Sequence, residues 1–245
     1  MKLGHKYFLF SVSFILLMWL IVLIVDIFSW ISTDGKIFIY IFDNGKYVEI
    51  AQWVNLSVAC VTSAIIFSIY RYLGDRDLSI FWILMSIAFV LMLLEDAGDI
   101  RHTIAADVHQ VVGRSFTRPV EMLWFSFIAS VPLAAIFIYG SWLKKMNNIS
   151  TFFILGFLFY GVASFMSFSS NFGDWYNIIG GNIAGAVGMD PSLFGGRIGF
   201  WLMDALVEES IEYAGAVCFA TSCILQLQSL YEIDGQFAFD DYGES

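Results

Sequence analysis

Charged residues are scarce in this sequence, and basic residues are the scarcest among them. Only 14% of the 245 residues are charged, and 12 lysines and arginines accompany 22 aspartates and glutamates, which gives a formal net charge of -10. Proteins that bind nucleic acid contact the phosphate backbone through clustered lysine and arginine, and here these residues are few and scattered. The composition therefore argues against nucleic acid as a partner.

Cysteine and the familiar catalytic motifs are also nearly or wholly missing. The chain has 3 cysteines, and Cys60, Cys218 and Cys223 all fall in apolar segments. That placement is typical of small buried side chains rather than of a disulfide framework or a C-x-x-C pair. The sequence contains no G-x-S-x-G, no P-loop and no H-E-x-x-H, and its last apolar segment has no lysine for a retinal Schiff base. No motif decides whether the protein is an enzyme.

Apolar residues, by contrast, are abundant. They make up 59% of the chain, and the mean hydropathy is +0.75. A helix needs about 20 apolar residues to cross a bilayer core. Hydropathy predicts an all-α integral membrane protein, a six-span helical bundle with helices at 7–30, 50–70, 78–96, 120–142, 149–169 and 199–229. We treat 1–230 as a single polytopic domain and 231–245, which has acids and no bases, as a mobile tail.

The basic residues predict an orientation for this bundle. Cytoplasmic loops of membrane proteins are enriched in lysine and arginine. The short connections after the second and fourth helices and the N-terminal segment carry such residues: Arg71, Arg76, Lys144, Lys145, Lys2 and Lys6. Both termini are therefore predicted to face the cytoplasm, and the plasma membrane is the expected location.

Three longer connections are predicted to form a cap on the outer side. The first carries Asn44-Gly45 between apolar and aromatic runs, which indicates a short β-hairpin. The second is 97–118. The third, 169–198, is glycine-rich and includes an apolar piece, 175–189, that is too short to span and is expected to be interfacial or re-entrant.

Two acidic runs stand inside or beside apolar segments and share one spacing. Aligning "LLEDAGDI" with "LVEESIEY" superposes Glu95, Asp96 and Asp99 on Glu208, Glu209 and Glu212. A helix turns about 100° per residue, so one stripe holds Glu95, Asp99, His102 and His109 if the helix continues past Gly98, and another holds Asp204, Glu208 and Glu212. Both runs are expected near the outer boundary of the bilayer core, where they could face each other.

Clustered carboxylates at that depth need compensation, and a proton or another cation in transit is the first of three alternatives. Chains of acids and histidines inside membrane bundles are typical of ion and proton pathways. The candidate cation-handling residues are Glu95, Asp96, Asp99, Asp204, Glu208, Glu209 and Glu212. Translocation or sensing of a proton or cation is the function that we expect.

The second alternative is a bound divalent metal ion in a membrane enzyme. Asp99-x-x-His102 places a carboxylate and an imidazole one helical turn apart, as in the Glu-x-x-His motifs of di-metal helical bundles, although only one such motif exists here. The candidate ligands are Glu95, Asp99, His102, His109, Glu121, Glu208 and Glu212.

The third alternative is a non-catalytic scaffold subunit. In it Arg101, Arg114 and Arg118 pair with Asp96, Asp99 and Glu121 at the membrane surface. Ion-pair networks of this kind perturb acids without any catalytic role. The expected partners, besides lipid, are other membrane proteins or a second copy of the chain.

Overall fold

The computed structural model describes residues 2–27, 37–43, 45–98, 100–113, 116–141, 147–170, 173–190 and 192–240. Its helices are α1 (Leu3–Val22), α2 (Ile37–Phe42), α3 (Tyr47–Tyr72), α4 (Arg76–Gly98), α5 (Ile100–Val111), α6 (Thr117–Tyr139), α7 (Asn147–Ser169), α8 (Trp175–Ala186), α9 (Leu193–Gly196), α10 (Ile198–Trp201) and α11 (Glu209–Asp240). Two π-helical turns, Leu23–Ile27 and Leu202–Glu208, continue α1 and precede α11.

The prediction of a six-span membrane protein is confirmed by length and composition. Among the described residues, six helical segments are long and apolar enough to cross a membrane: Leu3–Asp26, Ile37–Tyr72, Arg76–Gly98, Pro119–Tyr139, Ile149–Ser169 and Ile198–Glu232. Each contains one of the predicted helices nearly in full. The protein is therefore an integral membrane protein with several spans.

The predicted β-hairpin around Asn44-Gly45 is wrong. Ile37–Phe42 forms helix α2, and none of the described residues forms a strand. The buried side chains of α2 are Phe38, Ile41 and Phe42, which are spaced as one face of a helix. Gly45 has a φ of 71° just before α3 begins. The chain does turn at this position, but the turn joins two helices. Asn44 itself lies outside the described residues.

The glycine-rich connection contains helix α8, which covers most of the apolar piece at 175–189. Its 12 residues rise about 18 Å, well short of a bilayer core of about 30 Å. This length agrees with the expectation that the piece does not span by itself.

The chain divides into two compact units, which we describe separately. The first consists of 1–4, 53–152 and 219–245, and the second of 5–52 and 153–218. Helix α11 contributes its beginning to the second unit and the rest to the first. The predictions of one polytopic domain and of a mobile tail stay predictions, although α11 continues to Asp240.

In the first unit, the later part of α11 is joined to α3 by buried polar contacts. Gln226 Nε2 donates to the Tyr70 hydroxyl at 2.8 Å, and Ser63 Oγ lies 3.3 Å from Cys223 Sγ. Lys2 Nζ forms a salt bridge of 2.9 Å with Glu232. The start of α1 and Glu232 therefore lie at the same end of this unit.

In the second unit, α1 runs antiparallel to the beginning of α11. The Tyr213 hydroxyl donates to the Ser11 carbonyl at 2.9 Å, and Trp19 Nε1 donates to Ser210 Oγ at 3.0 Å. A buried hydrophobic core surrounds these contacts and includes Val22, Phe38, Phe42, Ile198, Leu202, Leu206 and Val217. This packing positions the acidic start of the last span.

Candidate functional site

The second acidic run lies where the last span changes from a π-helical to an α-helical geometry. Asp204 and Glu208 belong to the π-helical turn, and Glu209 and Glu212 form the first turn of α11. Only 7% of Glu208 is exposed. Short π-helical segments frequently occur at functional sites because they change which side chains share a face. Glu208 is therefore buried at an irregular point of a membrane span, and Asp204, Glu209 and Glu212 are half-buried beside it.

Glu208 receives a hydrogen bond from a tyrosine of α8. The Tyr176 hydroxyl donates to Glu208 Oε2, and Tyr176 is only 1% exposed. Burial, and then the carboxylate of Glu208, raise the pKa of the Tyr176 phenol far above its ordinary value. The nearby carboxylates of Asp204 and Glu212 add to this rise. Tyr176 thus stays a neutral donor, and three carboxylates of the run lie close to it.

Glu212 is linked to two other helices through a buried glutamine. Gln52 Nε2 donates to Glu212 Oε2 at 3.0 Å and to the Tyr160 hydroxyl at 3.0 Å. Gln52 has no exposed surface, and Tyr160 is buried as well. Residues of α3, α7 and α11 therefore meet at one amide, and two tyrosines and one glutamine accompany the carboxylates.

Glycines allow the helices around this cluster to approach closely. A Cβ added to Gly180 of α8 would lie 2.0 Å from the Gly199 carbonyl oxygen of α10, and one added to Gly215 of α11 would lie 2.8 Å from Tyr160 Cδ2. Small residues at helix interfaces let backbones come together in membrane proteins. The first contact holds α8, and with it Tyr176, against the start of the last span.

Asp26, in the π-helical turn after α1, serves as a helix cap. Its Oδ1 accepts the backbone N–H of Ile37 at 3.0 Å, and its Oδ2 accepts that of Phe38 at 2.9 Å. These are the first donors of α2, which a carboxylate satisfies well because the helix dipole favours negative charge there. The position of Asp26 is thus explained by capping.

The first acidic run belongs to the other unit. Glu95 of α4 accepts a hydrogen bond from Trp124 Nε1 of α6. Asp96 and Glu121 are half-buried, and His109 is exposed. Asp99, Arg114 and the side chains of Arg101, His102 and Arg118 lie outside the described residues. Three expectations therefore stay predictions: that one helical stripe runs through Asp99, that the arginines pair with acids, and that the two acidic runs face each other.

No three histidine, cysteine, aspartate or glutamate side chains come together as a metal site in the part of the chain that the structure describes. Glu95, His109, Glu121, Glu208 and Glu212 were among the predicted ligands and belong to that part. Asp99 and the side chain of His102, which carry the motif, do not. The cluster around Glu208 can accept hydrogen bonds and exchange protons, and these abilities follow from its carboxylates and phenols.

Sequence reasoning did not find Gln52, Tyr160 or Tyr176. Each is a neutral residue in an apolar helix, and such residues usually serve only to pack against neighbouring helices. The only signal was the polarity of Gln52 within a membrane span, since polar residues there usually face the bundle interior and find partners.

Tyr176→Phe is expected to lower the free energy of unfolding by about 2 kcal/mol, because it removes a donor to a buried carboxylate. Chemical unfolding in detergent micelles would measure this. The matched control is Tyr231→Phe, since Tyr231 is 64% exposed and should show no change. Equal stabilities of the two variants would contradict the importance of the Tyr176–Glu208 hydrogen bond.

No protein-family model, curated protein or solved structure matches this chain.

Proposed function

We propose that this protein translocates or senses a proton or another cation at the carboxylates of Asp204, Glu208 and Glu212. The observation that carries the proposal is the buried connection of Glu212 through Gln52 to Tyr160. A carboxylate inside a membrane span costs several kcal/mol on most scales and is usually partnered and functional. The proposal explains why several of them are placed around one set of polar side chains.

The chemistry of the hydrogen-bond donors supports a site that takes up and releases a proton or another cation. Tyr176 and Gln52 are uncharged, so their hydrogen bonds stabilise a carboxylate without cancelling its charge. Such a group loses its charge when it takes up a proton, whereas a bound cation offsets the charge without removing it. A buried acid with neutral donors can therefore alternate between two charge states, as a carrier or sensor requires.

Arg197 bears on the scaffold alternative. It is the only arginine in the sequence from 153 to 218, and its guanidinium carbon lies 4.5 Å from the centroid of the Phe200 ring. A guanidinium over an aromatic face is stabilised by a cation–π interaction. The scaffold alternative would pair arginines with the acids, and the contact with Phe200 explains the position of the Arg197 side chain without such a pair. Within the described residues, no specific observation favours a metal-dependent enzyme.

The placement of the protein in its membrane is part of the same proposal. Both termini face the cytoplasm of a plasma membrane, as the short basic connections indicate. Helix α8 is interfacial or re-entrant, because it is too short to span and its Tyr176 donates to Glu208 of the last span. Its polar backbone ends would then be near water. The proposal includes association with a second copy or with other membrane proteins, which chemical cross-linking in native membranes would test.

Glu212→Gln is expected to reduce proton or cation flux about tenfold, the effect of roughly 1.4 kcal/mol on a barrier. The substitution keeps the shape and a hydrogen-bonding group but removes the exchangeable charge. The measurement is flux into liposomes that contain the purified protein, under an imposed pH or cation gradient, with a pH-sensitive or ion-sensitive dye inside.

The matched control for the flux experiment is Asp190→Asn. The Asp190 carboxylate is exposed and accepts the backbone N–H of Ser192 at 2.8 Å, and this backbone hydrogen bond lowers the pKa of the carboxyl. The Asp190→Asn substitution should therefore leave flux unchanged. Sensing without transport would be detected as tryptophan fluorescence that depends on pH or cation concentration and loses this dependence in Glu212→Gln. Flat flux together with invariant fluorescence of the wild type would contradict the proposed function.

A further inference from the structure

Three helices packed against the π-helical turn Leu202–Glu208 carry no charged side chains. This turn packs against α2, α8 and α10. The sequences of these helices include no lysine, arginine, histidine, aspartate or glutamate, and their titratable groups are the phenols of Tyr40 and Tyr176. Tyr40 is 61% exposed, and Arg197, immediately before α10, lies over an aromatic ring. The three helices therefore bring a neutral hydroxyl, that of Tyr176, to Glu208.

The half-buried Glu212 also receives its hydrogen bond from a neutral group. Gln52 of α3 uses both hydrogens of its amide, one toward Glu212 and one toward Tyr160 of α7, each at 3.0 Å. The sequence of α7 has no charged residue. From its start to Gln52, α3 has one, Glu49, whose side chain accepts the backbone N–H of Gly45. The contacts of Glu208 and Glu212 with α3 and α8 are thus made by an amide and a phenol that donate hydrogen bonds.

A proton fits these hydrogen-bond donors better than a metal ion does. A protonated carboxyl keeps a carbonyl oxygen, which can still accept the Tyr176 hydroxyl, and it gains one O–H donor. A metal ion that leaves water needs several oxygen ligands, whereas Tyr176 and Gln52 direct hydrogens at the carboxylates. Among the described residues, no three acidic, histidine or cysteine side chains converge to hold a metal ion. Proton uptake therefore requires no change of partners at this site.

We propose that the cation handled at these carboxylates is the proton, and that Glu208 is the carboxyl that binds it. This inference rests on the function proposed above and narrows its substrate from any cation to one. Glu208 is 7% exposed, whereas Asp204, Glu209 and Glu212 are half-buried. A charge is most costly at the most buried of these positions, and a bound proton removes it. Tyr176 is a positioning residue, because its hydroxyl orients the Glu208 carboxyl.

The test is infrared difference spectroscopy of the purified full-length protein between about pH 8 and pH 5.5, where exposed carboxyls stay ionised. A residue that carries a proton near neutral pH exists in both forms there. We expect the C=O stretching band of a protonated carboxyl to grow as the pH falls. Glu208→Gln should remove this band, and Asp190→Asn should keep it. Tyr176→Phe should move it to higher frequency, because the carbonyl loses a hydrogen bond.

Trp175 provides a second measurement, on the wild type alone. The centroid of its ring lies 4.5 Å from that of Tyr176, so its fluorescence should respond to proton uptake by Glu208. We expect the fluorescence to change with pH and to stay constant when sodium, potassium or calcium is varied at fixed pH and ionic strength. Trp175→Phe should remove the part of the signal that depends on pH.

The inference is overturned if the wild type has no such infrared band, if Glu208→Gln keeps the band, or if a metal ion at fixed pH changes the fluorescence or drives flux. Flux driven by a metal ion would still support the broader function proposed above. A band that titrates, together with flat flux and invariant fluorescence, would instead support proton binding and contradict that function. The wild-type measurements decide the question even if a variant fails to fold.

Discussion

Gly180→Ala should lower the free energy of unfolding by about 3 kcal/mol, an overpacking effect at a backbone contact. The added Cβ would lie 2.0 Å from the carbonyl oxygen of Gly199 and 2.6 Å from its carbonyl carbon. Both are backbone atoms, so no side chain can rotate away, and α8 must move from α10. Because Tyr176 is on α8, the same movement should weaken its hydrogen bond to Glu208.

The effect of Gly180→Ala is measurable as a fall of about 6 to 12 °C in the apparent melting temperature of the detergent-solubilised protein. Gly181→Ala is a closely matched control, since a Cβ at the neighbouring position meets no atom within 4 Å. It adds the same methyl group to the same helix and should be neutral or slightly stabilising. If the two alanines lower the melting temperature equally, the close approach of α8 and α10 is not what stabilises this unit.

Gln52→Leu should cost about 3 kcal/mol of stability, because it removes one donor to a half-buried carboxylate and one to a buried phenol. Gln52 has no exposed surface, so water does not reach the position to replace the amide. Leucine has a similar volume, and the loss would therefore come from hydrogen bonding and not from a cavity. Urea unfolding in micelles measures the change.

A double-mutant cycle separates the amide–carboxylate contact from other effects of the substitution. Glu212→Leu removes the acceptor, and the double variant Gln52→Leu, Glu212→Leu removes both groups together. Two residues in direct contact show coupling of about 0.5 to 3 kcal/mol, so the double variant should be more stable than the sum of the single changes predicts. Strictly additive losses would show that the 3.0 Å contact contributes little.

The helices of this protein follow closely from local composition. The predicted spans at 78–96 and 149–169 fall inside α4 and α7, which cover Arg76–Gly98 and Asn147–Ser169. A bilayer demands about 20 apolar residues with all backbone groups bonded within the segment. This requirement applies to each segment separately, so the composition of a segment in one sequence is enough to recognise it as a span.

The hairpin prediction failed because a turn signal does not define the elements on either side. Gly45 has a positive φ, and glycine in that conformation ends helices as well as strands. The apolar residues of Ile37–Phe42 fit a helix or a strand over so short a length. Capping by Asp26, which is 11 and 12 residues away from its two donors, is a tertiary contribution that favours the helix.

The sequence by itself determined that the chain is a membrane protein of six spans and that acids stand in its last span, because hydropathy and charge are properties of single segments. The tertiary structure alone decided which neutral side chains reach those acids. Gln52 and Glu212 are 160 residues apart, and Tyr176 reaches Glu208 from α8, which packs closely on α10 at Gly180 and Gly199. Contacts between helices depend on the shapes of two surfaces at once, and no spacing within one segment encodes them.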